Sequence, residues 1–157
     1  MIVTEAELSR WGERLGATLA TPCFLALRGP LGAGKSVLAR AVGRGAGLVE
    51  PMPSPTFNLC FRYDTPRGVE LIHMDLYRLS DPDELWELGW EDLGAPDQLV
   101  LVEWPERAGP LLPADRWDVS LHVPEPGSTV RRVEVERVGA PPPLPGFPVT
   151  LTTGGEA

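Results

Sequence analysis

The residues best suited to chemistry lie in one octapeptide, Gly29-Pro30-Leu31-Gly32-Ala33-Gly34-Lys35-Ser36. It matches the Walker A pattern G-x-x-x-x-G-K-[ST], in which backbone N–H groups surround a phosphate and the lysine reaches the β- and γ-phosphates of a nucleotide. The Ser36 hydroxyl is then expected to bind magnesium. Pro30 has no N–H to donate, so it should lie at the loop entry, where no phosphate contact is needed. The predicted nucleotide-binding residues of this segment are Gly32, Ala33, Gly34, Lys35, Ser36 and Val37.

Lys35 is the only lysine of the chain, because thirteen of the fourteen basic side chains are arginine. A lysine kept at one position indicates a place where a compact ammonium is needed and a planar guanidinium would not fit. This favours a phosphate site over a glycine-rich turn that contains a lysine by chance.

An acidic side chain is also expected at the end of a neighbouring strand. P-loop enzymes use such a residue to hold magnesium or its waters. Glu103 follows the apolar run Leu99–Val102 and fits this position. It could bind the metal or orient a water as a base. The alternative is a carboxylate that ends a strand in solvent.

Asp75 is a second acidic candidate, within His73-Met74-Asp75-Leu76-Tyr77-Arg78. Alternation along an extended chain puts His73, Asp75 and Tyr77 on one face, so the histidine and the carboxylate could serve magnesium or a water. A hydrogen-bonded pair at a sheet edge is the alternative. The candidate catalytic residues are Lys35, Asp75 and Glu103, and the candidate metal ligands are Ser36, Asp75 and Glu103. Which carboxylate touches magnesium stays open.

A further hydroxyl lies in Ser54-Pro55-Thr56-Phe57, between the helix after the loop and the next strand. P-loop switches place a nucleotide-sensing loop at this point of the chain. Thr56 is therefore a candidate contact to the γ-phosphate, although a capped turn would have the same sequence.

The element pattern explains how these residues could be positioned. Thr4-x-x-Glu7 is a capping-box pattern that opens a first helix. The apolar run Cys23–Leu27, the glycine loop and a helix over 36–46 follow in the order strand, loop, helix that a P-loop requires.

Two antiparallel hairpins are expected, one over 57–75 and one over 117–138, with a helix from Ser80 to about Trp90 between them. The fold class that follows is α/β: a P-loop NTPase-like single domain whose mixed sheet has central parallel strands plus antiparallel hairpins, flanked by helices.

The domain is expected to span residues 1–138, followed by a Pro/Gly-rich tail over 139–157 that is flexible or laid over the surface. The start of the chain does not resemble a secretion signal, and no apolar run approaches the ~20 residues that span a bilayer. Cys23 and Cys60 are expected as buried free thiols in a reducing cytoplasm.

The charge distribution argues against direct binding to a polynucleotide. The formal net charge is −8, and between Val69 and Glu106 eleven acidic residues accompany one basic residue, Arg78. Nucleic-acid binders present a basic face that replaces counterions around phosphates. Most of these carboxylates are expected on a solvated surface.

Four segments together resemble the TsaE family, formerly YjeE, across residues 4–137. They are Leu31–Ser36, Ser54–Phe57, His73–Arg78 and Val102–Glu106. The family is the small bacterial P-loop ATPase of tRNA threonylcarbamoyladenosine biosynthesis. The resemblance implies that ATP and Mg²⁺ are the cofactors, that Trp104 lies beside the nucleotide, and that Lys35, Ser36, Asp75 and Glu103 are the functional residues. Pro30 and Ser36 depart from the residues that are common in the family.

The resemblance also implies partners. The family acts in the cytoplasm with TsaD and TsaB, which carry the transferase site, and uses ATP turnover to reset that complex; tRNA is reached only through the complex. No arginine finger is evident in the sequence, so we expect slow turnover that a partner accelerates. The alternatives are a small-molecule P-loop kinase, which would need an arginine-rich lid, and a nucleotide-gated adaptor that does not hydrolyse.

Overall fold

The structure is a computed structural model that describes residues 1–49, 52 and 59–145. The described residues form one seven-stranded mixed sheet with the order β1-β7-β6-β2-β5-β4-β3. The strands are β1 (Ile2–Thr4), β2 (Cys23–Arg28), β3 (Cys60–Asp64), β4 (Glu70–Asp75), β5 (Gln98–Glu103), β6 (Arg116–His122) and β7 (Val130–Val138). The helices are α1 (Glu5–Thr18), α2 (Lys35–Gly45) and the single turn α3 (Glu84–Glu87). This confirms the α/β fold class.

The centre of the sheet is parallel and its edges are antiparallel. Strand β2 pairs in parallel with β5 and β6, and β4 pairs in parallel with β5. The register places Asp75 beside Glu103 at the carboxyl ends of β4 and β5. Both acidic candidates therefore lie at the carboxyl ends of the strands, where the phosphate loop (residues 29–34, between β2 and α2) begins. Open α/β sheets bind ligands at this end.

Apolar side chains cover both faces of the sheet. Alternate residues of β2 point to opposite sides, so Leu25 and Leu27 pack under α1 and α2, whereas Phe24 packs with Trp90 on the other face. A strand buried on both faces has a continuous apolar sequence. This explains why Cys23–Leu27 shows no polar alternation.

Helices α1 and α2 cross at very short range because glycines form the contact. A Cβ at Gly16 would lie 1.9 Å from the Val42 carbonyl oxygen, and one at Gly45 would lie 1.9 Å from the Glu13 carbonyl oxygen. This crossing fixes α2, whose first turn directly follows the phosphate loop. At the other end of α1, the predicted capping box of Thr4 and Glu7 is present.

The predicted helix from Ser80 to Trp90 is broken into two short pieces. Residues 84–87 form α3, and a turn of 3-10 helix follows at Trp90–Asp92. The Glu84 carboxylate accepts the N–H groups of Ser80 and Asp81, which makes a turn before the helix. Gly89 has a φ of 79° and ends the helix, as glycine commonly does one residue beyond a helix terminus.

Residues 139–145 lie on the surface of the sheet domain. The Ala140 N–H donates to Asp115, the Trp117 indole to the Pro142 carbonyl, and the Trp11 indole to the Pro145 carbonyl. The domain boundary after residue 138 and the flexibility of the tail stay predictions, because residues 146–157 lie outside the described part.

Both cysteines are free thiols, as expected. Burial raises the pKa of the Cys23 thiol to about 12, so it stays protonated. Cys60 is only half-buried, because it opens strand β3 at the sheet edge. None of the helices in the described part of the chain has the length and apolar content that crossing a membrane requires.

Candidate functional site

The phosphate loop connects β2 to α2 and depends on glycine backbone geometry. Gly32 and Gly34 have φ values of 81° and 110°, in the left-handed region that other residues rarely adopt. Gly34 is the N-cap of α2, and its carbonyl accepts the first helical hydrogen bond from Leu38. The loop therefore ends on a helix N-terminus, whose free N–H groups and positive dipole end favour an anion.

One N–H of the loop is used internally. The Ala33 N–H donates to the Pro30 carbonyl over 3.1 Å, which closes a tight turn at the loop entry. The Walker A pattern predicts that this N–H faces a phosphate, together with those of Gly32, Gly34, Lys35 and Ser36. In this structure the Ala33 N–H is engaged, so Ala33 contributes loop shape, and its predicted contact to a nucleotide stays untested.

The Lys35 side chain is only 4% exposed and bends back over the loop. Its Nζ donates to the carbonyls of Gly29 and Pro30 and lies 4.2 Å from the centre of the Trp104 ring. Burial lowers the pKa of Lys35, while the carboxylates of Glu103 and Asp75 act in the opposite direction. A confined space of this kind fits a compact ammonium better than a guanidinium.

Glu103 is buried beside the loop and paired with two side chains. It is 3% exposed. The Ser36 hydroxyl lies 3.2 and 3.3 Å from its two carboxylate oxygens, and His73 Nε2 lies 2.7 Å from Oε2. A carboxylate that ended a strand in solvent would be exposed, so this geometry excludes that interpretation. Burial of a carboxylate is costly unless the carboxylate has partners. Here the Ser36 hydroxyl and the His73 imidazole are those partners.

His73 hydrogen-bonds to Glu103 of the neighbouring strand, a partner that alternation along one strand does not predict. The two groups belong to neighbouring strands, β4 and β5, and the parallel register brings them together. If the carboxylate is the acceptor of this hydrogen bond, the imidazole donates through Nε2. Its Nδ1 is buried with no partner among the described residues.

Asp75 lies at the rim of the same site. Its carboxylate accepts the Tyr77 N–H at 2.9 Å and is half-buried. Burial raises the pKa of Asp75, and the nearby negative charge of Glu103 acts in the same direction. Asp75 thus combines access to the cleft with a stronger tendency to take up a proton than an exposed aspartate has.

An aromatic wall completes this end of the site. Trp104 has a φ of 59°, which is rare for a residue with a side chain, and the 3-10 turn Pro105–Arg107 follows it. The ring centres of Trp104 and Tyr77 are 5.0 Å apart, and the Arg107 guanidinium carbon lies 5.8 Å from the centre of the Tyr77 ring. The backbone conformation at Trp104 turns the chain at the strand end, beside Lys35.

One cleft of about 680 Å³ is lined by the phosphate loop, Lys35, Ser36, Asp75, Glu103 and the aromatic wall. Its lining also includes Ser128, Thr129 and Arg131, from the segment that leads into β7. A volume in this range is typical of small-molecule sites. The sequence does not point to Arg131, because nothing in a β-type segment near the end of the chain indicates contact with a loop about 100 residues earlier.

The donor set fits magnesium if phosphate oxygens complete it. Among the described residues no group of three or more His, Cys, Asp and Glu side chains could hold a metal alone. Magnesium prefers hard oxygen ligands and is often held by one or two protein groups, waters and substrate phosphates. The Ser36 hydroxyl and the Glu103 carboxylate, already 3.2 Å apart beside the loop, are such ligands.

Thr56 and its segment Ser54–Phe57 lie outside the described residues. The candidate γ-phosphate contact at Thr56 therefore stays a prediction. The roles of the other candidates also remain to be measured, although Lys35, Ser36, Asp75, Glu103 and Trp104 line one cleft.

Comparison with known proteins gives consistent matches. Residues 2–133 match the family model described as threonylcarbamoyl adenosine biosynthesis protein TsaE. The tRNA threonylcarbamoyladenosine biosynthesis protein TsaE of Nostoc sp. is 38% identical over 127 residues, which cover 79% of this chain and 76% of that protein. The Rickettsia bellii protein of the same name is 36% identical over 123 residues, covering 75% and 81%. The crystal structure of Bacillus subtilis YdiB aligns with a TM-score of 0.71 at 25% identity, covering 88% of this chain and 84% of that one.

Proposed function

The chain belongs to the TsaE family, and on that premise we propose that it is a Mg²⁺-dependent ATPase of tRNA N6-threonylcarbamoyladenosine biosynthesis. The supporting observation is the cluster in which Lys35, Ser36 and Glu103 meet beside a glycine-rich phosphate loop. A lone ammonium, a hydroxyl and a buried carboxylate at a helix N-terminus suit a metal-bound triphosphate. Family membership suggests the pathway, and the cluster suggests the chemistry.

Each side chain has a role that its contacts support. Lys35 neutralises charge on the β- and γ-phosphate oxygens. The Ser36 hydroxyl and the Glu103 carboxylate hold the metal, since they already lie within 3.3 Å of each other. Bound magnesium supplies charge neutralisation on the transferring phosphoryl group.

Asp75 is the proposed base that orients the attacking water and accepts its proton. It contacts the Tyr77 N–H and lines the cleft, and burial raises its pKa, which makes it a stronger base. Trp104 covers Lys35 and forms the wall beside the phosphates. Thr56 is retained as a proposed γ-phosphate contact.

The protein is proposed to act as the resetting subunit of a complex with TsaD- and TsaB-type proteins in the cytoplasm. The acidic surface disfavours independent tRNA binding, so tRNA would be reached through the partners. We expect slow ATP turnover by the isolated chain, because a partner-supplied arginine is worth ~10³–10⁵ in rate in other P-loop systems.

The chemistry is tested by ATP turnover in the purified chain with and without Mg²⁺. Glu103→Ala and Ser36→Ala should each lower kcat by about 100-fold, the typical effect of removing one transition-state contact. Glu134→Ala, which removes an exposed carboxylate on β7, is the matched control and should keep wild-type turnover. Wild-type rates in Glu103→Ala would refute the assigned role.

The pathway is tested by reconstitution with TsaB, TsaD and a source of threonylcarbamoyl-adenylate. Multiple-turnover tRNA modification should stop when this chain is omitted, and TsaB with TsaD should accelerate its ATPase activity. Equal ATPase rates with and without the partners would contradict the resetting role. Repeated product formation with a non-hydrolysable ATP analogue would instead favour a nucleotide-gated adaptor, and phosphate transfer to a metabolite would favour a kinase.

A further inference from the structure

Arg131 links the far edge of the sheet to the phosphate loop. It lies on β7, which is separated from β2 by strand β6. Its Nε donates to the Ala33 carbonyl and its Nη2 to the Gly32 carbonyl, both at 3.1 Å. Its Nη1 donates to the carbonyls of Ser128 and Val130, at 2.7 and 2.9 Å. One guanidinium thus ties two loop carbonyls to the β6–β7 turn.

These contacts control how the loop presents its N–H groups. In a planar trans peptide the carbonyl and the following N–H point in opposite directions. A guanidinium that holds the Ala33 carbonyl therefore fixes the Gly34 N–H on the opposite side of that peptide. Gly34 adopts a φ of 110°, and glycine has many alternative conformations, so the orientation needs an external restraint.

The chemistry of the contact is specific for arginine. Four of the five N–H donors of its side chain reach carbonyl oxygens, in the fixed fork geometry of a planar guanidinium. A lysine at the same position offers one point-like ammonium, which cannot span the carbonyls of Gly32, Ala33 and the β6–β7 turn together. The positive charge also lies in the same cleft as Lys35, where an anion is expected.

We propose that Arg131 is a positioning residue for the phosphate site, which holds the glycine loop in the conformation that accepts a polyphosphate. This inference rests on the proposed nucleotide-binding function, but it concerns a residue that acts through the loop backbone. It predicts a loss of affinity for phosphates in general, with little change in the chemical step once ligand is bound.

The test compares Arg131→Ala and Arg131→Lys with wild type in the full chain. Titrations with Mg-ATP and with inorganic tripolyphosphate give the dissociation constants, and steady-state turnover gives KM and kcat. We expect Arg131→Ala to weaken both ligands by at least tenfold, kcat to change by less than threefold, and Arg131→Lys to restore only part of the affinity. Arg132→Ala is the control, because the Arg132 side chain is exposed and points to the opposite face of the strand from Arg131. The affinities of this variant for both ligands should stay within twofold of wild type.

Equal ATP affinity in Arg131→Ala and wild type would overturn the inference. A loss for ATP without a loss for tripolyphosphate would also overturn it, because Arg131 would then act on the nucleoside. If wild type binds neither ligand, the proposed function fails. The positioning role of Arg131 is then tested separately, by amide hydrogen exchange of the ligand-free proteins. Arg131→Ala should then exchange faster over residues 29–37 than wild type, with strand β5 unchanged; equal exchange over this segment would refute the positioning role.

Discussion

The His73 Nε2 lies 2.7 Å from Glu103 Oε2, and both side chains are almost completely buried. This hydrogen bond fixes one carboxylate oxygen from β4, while the Ser36 hydroxyl approaches from α2. The carboxylate is thus oriented from two sides before any ligand binds. In known metal sites, hydrogen-bond partners of this kind orient the ligating group.

Replacement of His73 should therefore impair turnover without removing a group that touches the nucleotide. We expect His73→Leu to lower kcat or magnesium affinity by about 10–100-fold, the range seen for second-layer partners of metal ligands. His73→Gln keeps an N–H donor and should recover part of the loss. The measurement is ATP turnover across a magnesium titration.

The second histidine of the chain provides the control. His122 lies on β6 near the exposed Glu134, and it does not line the cleft. His122→Leu should turn over ATP at the wild-type rate. If His73→Leu does so as well, with unchanged magnesium dependence, the hydrogen bond to Glu103 has no part in the activity.

Lys35 is predicted to be irreplaceable even by arginine. Its ammonium is enclosed by the carbonyls of Gly29 and Pro30 and by the Trp104 ring, so a larger guanidinium would displace the aromatic wall. Lys35→Ala and Lys35→Arg should each lower kcat/KM by about 100-fold or more. Arg137→Ala removes an exposed positive charge on β7 and controls for net charge. Near wild-type activity in Lys35→Arg would show that charge alone is sufficient.

The parts of the site that lie close together in sequence were predictable, and the long-range contacts were not. The glycine loop, Lys35 and Ser36 form a local pattern whose geometry follows from strand, loop and helix. The pairing of His73 with Glu103 depends on the β4–β5 register, which alternation within one strand does not reveal. The reach of Arg131 to Ala33 depends on strand order, for which the sequence has no local signal.

The local sequence pattern also predicts a longer helix after Ser80 than the structure contains. The polar cap and the apolar residues that follow indicate a helix to about Trp90, but Gly89 adopts a left-handed conformation and the chain turns there. Trp90 then packs edge-on against Phe24 and donates to the Leu111 carbonyl. Tertiary packing of one large side chain thus overrides helix propensity over a short segment.

Asp75 should make the folded chain less stable as the pH rises. A salt-bridged carboxylate has the opposite effect. Burial raises its pKa in the folded chain, so the ionised form is the less favourable one in the fold. The contribution of Asp75 to folding stability is therefore fully present below its ordinary pKa, about pH 4. This contribution is lost as the pH rises through the raised pKa of Asp75 in the folded chain. Asp75→Asn keeps an oxygen that can accept the Tyr77 N–H.

We therefore expect ligand-free Asp75→Asn to melt at a higher temperature than wild type at pH 7, while losing ATP turnover. The difference should shrink as pH falls and be smallest below about pH 4, where Asp75 is neutral in the unfolded chain as well as in the folded one. Thermal unfolding over this pH range is the measurement, with exposed Asp97→Asn as the control. A melting temperature at pH 7 below that of wild type would contradict the sign.

The glycine contact between α1 and α2 gives the final prediction. A methyl group at Gly16 would lie 1.9 Å from the Val42 carbonyl oxygen and 2.8 Å from the Ala46 nitrogen, both rigid backbone atoms. Gly16→Ala must therefore push the helices apart, although alanine favours a helix more than glycine does. Overpacking of this kind costs about 1–3 kcal/mol, which urea unfolding measures directly.

Ala17→Ser adds one atom to the exposed neighbouring position and should change the free energy of unfolding by less than about 0.5 kcal/mol. Because the phosphate loop leads directly into α2, displacement of this helix should also weaken ATP binding. A Gly16→Ala variant as stable as wild type would contradict the prediction, since it would show that the two helices can separate at no cost.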